Sequence, residues 1–138
     1  MSIDALTLSP LLSPDQARML SPLQLAFVGD AVHAMLVRTQ VLSRNLKVHD
    51  MHLLATRAVN AVSQARAMQA VAPLLTPEET DIVHRGRNAH AHHGAPKAAT
   101  AIEYAWATGL EALLGYLYLT GQIERLKELS PYLQAEDA

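Results

Sequence analysis

Residues 23–32, LQLAFVGDAV, decide the fold, because this apolar stretch carries an acid where a buried helix would normally carry a hydrophobe. That acid is Asp30, and a second stretch, 109–116 (GLEALLGY), holds Glu111 in a similar setting. Both stretches are predicted to be buried helices, and acids are almost never fully buried unless they are paired or bind a metal. A glycine near each acid lets another backbone, a partner chain or a substrate approach closely. Two acids in such matched settings suggest one shared site.

Oxygen ligands without any cysteine suit Mg²⁺ or Mn²⁺, which take one or two protein carboxylates together with substrate phosphate. The sequence therefore predicts a divalent cation held by Asp30 and Glu111. The alternative is that each acid is satisfied within the core by backbone donors or by an arginine, since structural ion pairs also perturb pKa values.

Helix signals recur along the chain, and no convincing strand interrupts them. Serine or threonine followed by proline marks three helix starts, at Ser13, Ser21 and Thr76. Apolar spacing and these caps predict helices from 14, over about 22–42 and 48–72, from 77, over about 98–119, and over 122–129. Residues 89–97 are expected to form a loop, and the tail from Ser130 is expected to fray. The prediction is one all-α domain over 1–138, with about six or seven helices.

Composition and charge limit the classes of function that the chain could have. Half of the 138 residues are hydrophobic, and the absence of cysteine excludes disulfides and thiolate zinc sites. No signal peptide or uncharged membrane-spanning run is visible, so we expect a cytoplasmic protein without a membrane partner. The net charge is −2, but residues 38–97 carry a net +4 and six of the seven histidines. This basic middle is either a polyanion-binding face or ordinary solvated helix surface.

Three motifs resemble those of the ribonuclease III family. Residues 23–32 look like its signature helix, and 111–115 (EALLG) look like its second acidic motif. The stretches RGRNA at 85–89, Pro96-Lys97 and 107–119 are similar in order and spacing to the Mini-ribonuclease III branch, which has a catalytic domain and no double-stranded-RNA-binding domain. The resemblance covers about 21–129, with short extensions at both ends.

This resemblance implies a two-fold homodimeric endoribonuclease that cleaves double-stranded RNA. It implies maturation of ribosomal RNA precursors of the 23S type, 5′-phosphate and 3′-hydroxyl ends, and catalysis by Asp30 and Glu111 with Mg²⁺, for which Mn²⁺ substitutes. Larger family members have four catalytic acids, whereas Ala26 and Thr108 occupy the other two positions here. The Mini branch is similar in lacking them. Alternatives are an inactive RNA-binding dimer of the same fold, or a helical protein-interaction module.

Basic side chains are the candidates for RNA contact. Arg85 and Arg87 could lie along a phosphate backbone, since arginine binds phosphate in a bidentate fork, with Asn88 beside them. The alternative is an exposed helix end that carries cations near its C-terminus. Weaker candidates of the same kind are Lys97, Arg57 and Lys47.

Phe27 is a candidate for a subunit contact, and a cluster of three histidines is a candidate for a metal site. The resemblance implies that Phe27 enters a pocket of the partner subunit, whereas core packing is the alternative. His90, His92 and His93 invite a structural zinc site, but their loose spacing favours a solvated loop near RNA.

Overall fold

A computed structural model describes residues 3, 6, 10–89 and 100–134 of the chain. Seven α-helices follow one another: α1 (Pro14–Met19), α2 (Pro22–Leu42), α3 (Val48–Ala58), α4 (Ala61–Val71), α5 (Pro77–Ala89), α6 (Ala101–Leu119) and α7 (Ile123–Leu129). Two 3₁₀ turns follow α4 and α7, at Ala72–Leu74 and Ser130–Leu133. No strand occurs among these residues, so the all-α prediction is confirmed.

Local hydrogen bonds explain where the helices begin. Ser13, Ser21 and Thr100 each complete a capping box, in which the cap and the third helical residue satisfy each other's backbone N–H. Thr76 and Glu79 make the same exchange at the start of α5, at 3.1 and 2.9 Å. The starts predicted at Ser13, Ser21 and Thr76 are therefore confirmed.

The single long helix predicted over 48–72 is wrong, because the chain breaks between α3 and α4. The Asn60 side chain accepts a hydrogen bond of 2.8 Å from the Ser63 N–H and so caps α4. Asparagine is among the best helix N-caps, and the continuous apolar pattern around it concealed this signal. The apolar spacing over 48–72 also predicts that Leu53 lies inside, but the structure leaves it 43% exposed.

Helix α6 forms the centre of the core. It packs against α2, α4 and α5, and from Ala107 to Leu119 nearly every side chain is buried. Helix α2 meets it through a face that includes Leu25 and Gly29. The apolar spacing of α2 predicts that Met35 lies on the same inner face as Leu25, but Met35 is 71% exposed. By length and composition α2 is also apolar enough to cross a membrane, a test that core helices of globular proteins pass as well.

The end of the chain is better packed than predicted. Leu133 lies in the 3₁₀ turn after α7 and is only 1% exposed, so the expectation that the tail frays from Ser130 is wrong for residues 130–133. Arg125 of α7 anchors this region by donating to both carboxylate oxygens of the buried Glu79 at 2.8 Å. It also donates to the Leu74 carbonyl at 2.8 Å. These contacts join the C-terminal helix to α5 and to the turn after α4.

Candidate active site

A close crossing of α2 and α6 brings the two predicted acids together. A Cβ added to Gly29 would lie 1.6 Å from the carbonyl oxygen of Glu111, and one added to Gly115 would lie 2.0 Å from that of Leu25. Only glycine at both positions allows the two backbones to approach this closely. Because Asp30 follows Gly29 directly, the crossing places its side chain beside Glu111.

The two acids interact, but only one of them is substantially buried. Glu111 is half-buried and shares a hydrogen bond with Asp30. Asp30 is exposed, so the expectation that it lies inside a buried helix is wrong. Among the apolar neighbours of Asp30, Ala26 is buried whereas Phe27 and Ala31 are exposed, and Gly29 rather than Asp30 faces α6. The acid therefore stands at the rim of the site, open to solvent.

Burial is the largest of the causes that together raise the pKa of Glu111 to about 8; the hydrogen bond and negative charge of Asp30 act in the same direction, and a hydrogen bond from Gln64 acts in the opposite direction. At neutral pH and without a cation, Glu111 therefore holds its proton. Two carboxylates at close range repel each other, and a divalent cation bound between them would remove this repulsion.

An open pocket of about 470 Å³ contains the acid pair. Its lining residues come from α2, α4 and α6 and the turn between α3 and α4: Leu23, Ala26, Phe27, Asp30, Val59, Ala61, Gln64, Tyr104, Thr108 and Glu111. No lysine, arginine or histidine is among the described residues that line it, so no protein cation neutralises the pair from within the pocket. An all-oxygen donor set at the mouth of a pocket fits Mg²⁺, which keeps several waters and needs few carboxylates.

Ala26 and Thr108, the two positions for which the sequence resemblance implies acids in larger family members, add no charge here. Ala26 is buried, and the Thr108 hydroxyl donates to the Tyr104 carbonyl at 3.0 Å within the same helix. In the part of the chain that the structure describes, no group of three or more potential metal-ligating side chains of histidine, cysteine, aspartate or glutamate occurs. The candidate site thus consists of two acids.

Two polar residues behind the acids escaped the sequence analysis. Gln64 on α4 and His33 on α2 are 3% and 0% exposed, and they lie 3.0 Å apart between Nε2 and Nδ1. Their only sequence signal is a polar residue within an apolar stripe, as at Gln64 between Ala61, Ala65 and Met68. Burial lowers the pKa of His33, so its ring is neutral at pH 7.

The structure separates the two arginines of α5. The Arg85 guanidinium reaches the Arg18 carbonyl of α1 at 3.3 Å. The Arg87 guanidinium lies 4.7 Å from the centre of the Trp106 ring and donates to the Asn88 side chain at 3.2 Å. The two side chains therefore leave the helix toward different neighbours. Their role in RNA contact stays a prediction.

The weaker RNA-contact candidates are scattered. Lys47 precedes α3 and Arg57 lies in its last turn, and both are exposed. Lys97 and the cluster His90, His92 and His93 lie outside the described residues.

Phe27 lies on the outer face of α2 and is 81% exposed. The alternative that it packs in the core of its own chain is therefore wrong. A second, larger cavity of about 540 Å³ lies between α2 and α3 and is lined mainly by apolar side chains, including Ala34, Met35 and Met51. Its rim carries Val48, which is also largely exposed. The chain thus presents an aromatic side chain and an apolar groove on the same helix.

Comparison with known proteins gives this geometry its context. The family model of the ribonuclease III domain matches residues 23–122. A Mini-ribonuclease 3 from Symbiobacterium thermophilum is 51% identical over 111 residues, which cover 80% of this chain and 85% of that protein. A Mini-ribonuclease 3 from Thermoanaerobacter sp. (strain X514) is 44% identical over 120 residues, covering 86% and 84%. A crystal structure of a Fusobacterium nucleatum protein superposes with a TM-score of 0.76 at 30% identity, covering 83% of this chain and 91% of that one.

A helical ribonuclease III domain with an acid pair at its central crossing defines an endoribonuclease of the ribonuclease III type. With relatives of 44–51% identity over most of its length, the chain belongs to the Mini-ribonuclease III branch of the ribonuclease III family. The resemblance found in the sequence motifs is confirmed.

Proposed function

We propose that this chain is a Mg²⁺-dependent endoribonuclease that cleaves double-stranded RNA as a homodimer in the cytoplasm. Its proposed role is the maturation of ribosomal RNA precursors of the 23S type. The observation that carries the proposal is the contact between Asp30 and Glu111 in a solvent-open pocket with no lining cation among the described residues. Such a pair binds a divalent cation, or else holds a proton at neutral pH.

Asp30 and Glu111 would hold the ion, each through a carboxylate oxygen. Bound there, Mg²⁺ would offset the charge of the phosphodiester and lower the pKa of the attacking water. Cleavage would leave 5′-phosphate and 3′-hydroxyl ends. Of these two residues, Asp30 is exposed at the rim of the pocket and Glu111 is half-buried in its lining. Duplex RNA would be bound mainly through phosphates, 2′-hydroxyls and shape.

The homodimer is supported by the exposed ring of Phe27. An aromatic side chain that is 81% exposed, on a helix that also lines an apolar groove, is a typical interface feature. In a two-fold dimer, Phe27 of each protomer would enter the groove between α2 and α3 of the other. The two acid pairs would then lie on one surface, one for each strand of a duplex.

Cleavage of a long duplex RNA in Mg²⁺ tests the catalytic part of the proposal. Asp30→Asn and Glu111→Gln should each lower the rate about a hundredfold or more, since charge stabilisation by a metal ion is worth several kcal/mol. The matched control is Asp81→Asn, which neutralises an exposed acid on α5 outside the pocket and should cut normally. Ligation of the products to an adapter that requires a 5′-phosphate checks the end chemistry.

The same experiment distinguishes the proposed enzyme from the alternative predicted from the sequence, an inactive RNA-binding dimer. That alternative requires that the wild type bind duplex RNA in a salt-dependent manner without cutting it. Undiminished cutting by both acid variants would instead refute the site.

Light scattering tests the dimer. Phe27→Ala should shift the protein toward monomer, whereas Met19→Ala, which removes a side chain that is 86% exposed on α1, should not. A wild type that is monomeric at micromolar concentration would refute the proposed interface.

A further inference from the structure

A chain of buried hydrogen bonds runs from the C-terminal 3₁₀ turn to the acid pair. The Leu133 carbonyl oxygen lies 3.3 Å from Nε2 of His33, and Nδ1 of the same ring lies 3.0 Å from Nε2 of Gln64. Gln64 also lines the acid pocket and hydrogen-bonds Glu111. The side chains of both linking residues are almost completely buried.

The direction of each hydrogen bond follows from the ends of this chain. A carbonyl oxygen only accepts, so His33 carries its proton on Nε2 and donates it to Leu133. Burial keeps the ring neutral, so Nδ1 has no proton and accepts from Gln64. The amide nitrogen of Gln64 therefore faces the ring, and an amide nitrogen has a second N–H to give. That N–H is the donor that favours the ionised form of Glu111.

The neutral histidine thus determines which way the glutamine amide faces. With its oxygen and nitrogen exchanged, Gln64 would turn a carbonyl toward the lone pair of His33 Nδ1, and both groups would be buried acceptors without a donor. The fixed amide hydrogen-bonds Glu111, which Asp30 also contacts from the rim. In a site with only two acids, orientation of the half-buried one has a large effect on how well a cation is held.

We propose that Gln64 is a positioning residue that orients Glu111 for cation binding, and that His33, fixed by the Leu133 carbonyl, sets the orientation of Gln64. This inference rests on the proposed metal site. It extends that site by two residues and links it to the C-terminal turn.

Mn²⁺ binding, measured calorimetrically on the full-length protein without RNA, tests the proposal. Gln64→Met keeps the length of the side chain and removes its donors, and it should weaken Mn²⁺ binding about tenfold or more. Gln64→Asn keeps an amide, but its side chain is too short to contact both neighbours, so it should weaken Mn²⁺ binding similarly. It serves as the test if the methionine variant does not fold. The Mg²⁺ concentration for half-maximal cleavage should rise in parallel, with the rate at saturating Mg²⁺ largely recovered.

The histidine offers a matched pair of variants. His33→Asn can place an acceptor near the position of Nδ1 and should retain most of the Mn²⁺ affinity, whereas His33→Leu should lose several-fold. Val37→Ala removes buried volume one turn further along α2 without touching the hydrogen bonds. It should lower the melting temperature while leaving Mn²⁺ affinity unchanged.

The outcomes separate this inference from the proposed function. Wild-type Mn²⁺ binding that Asp30→Asn abolishes but the Gln64 variants leave unchanged would overturn the positioning role and keep the metal site. Equal affinity in His33→Asn and His33→Leu would overturn the role of His33. A wild type that neither binds Mn²⁺ nor cuts duplex RNA would overturn the metal site and this inference together.

Discussion

Replacing Glu111 by glutamine should make the cation-free protein more stable while removing its activity. Glutamine has nearly the shape of a protonated glutamate, and it cannot ionise beside Asp30. The pKa of Glu111 is raised from 4.5 to about 8 by burial and by Asp30. Below pH 4.5 the folded and unfolded chains both hold the proton, and the favourable contribution of protonated Glu111 is fully present. It is lost as the pH rises from 4.5 through 8, because the unfolded chain releases this proton first.

The magnitude follows from the difference between these two pKa values. At about 1.4 kcal/mol for each pKa unit, the step from 4.5 to about 8 corresponds to roughly 5 kcal/mol as a ceiling. Because water screens the charge of the exposed Asp30, we expect the actual change in unfolding free energy to be about 2–3 kcal/mol. The unfolding free energy of Glu111→Gln, relative to wild type, should rise by this amount between about pH 5 and pH 8 and then level off.

Urea denaturation in EDTA, at one fixed protein concentration, measures this difference. Glu124→Gln on α7 neutralises an exposed glutamate and should give a curve parallel to that of the wild type. Saturating Mg²⁺ should flatten the pH dependence of the wild type, since a bound cation favours the ionised pair. Parallel curves for Glu111→Gln and wild type in EDTA would refute the reasoning, because they would mean that Glu111 ionises normally in the folded chain.

Three further predictions concern the fold and the RNA-binding surface. Gly29→Ala should prevent folding as judged by circular dichroism, because its Cβ would overlap the α6 backbone, whereas Ala31→Gly on the exposed side of α2 should cost only about 1 kcal/mol. Arg125→Met should lower the unfolding free energy by about 3 kcal/mol, since it leaves the buried Glu79 carboxylate without its cation, and adding Glu79→Gln should restore part of that loss. Arg87→Ala should weaken duplex RNA binding and reduce the slope of log affinity against log salt by about one, and an unchanged slope would remove Arg87 from the phosphate contacts.

Helix starts could be predicted from the sequence because their cause is local. The serine and threonine caps at Ser13, Ser21 and Thr76 satisfy backbone groups only three residues away, so the signal and the hydrogen bond lie in the same short stretch. Asn60 uses the same chemistry, but the apolar pattern on either side of it suggested one continuous helix. The packing of residues 130–133 depends on contacts with distant helices, such as Leu133 with His33, and no local pattern encodes them.

The acid pair was predictable only in part. The matched settings of Asp30 and Glu111 indicated one shared site, and the structure brings the two side chains into contact. Their different exposure was not predictable, because it depends on which side of α2 faces α6. Gln64 and His33 were missed for a related reason: a buried polar residue looks like any other polar residue until its partners are known.

The contact that holds the fold together also creates the site. Gly29 and Gly115 allow α2 and α6 to cross with their backbones touching, and the residue after Gly29 is then Asp30, beside Glu111 on the facing helix. A side chain at either glycine would separate the helices and move the two acids apart. The crossing thus serves both the packing of the core and the proposed metal site. The position of the acid pair is therefore fixed by the packed backbones of α2 and α6, and it needs no further acidic side chain around it.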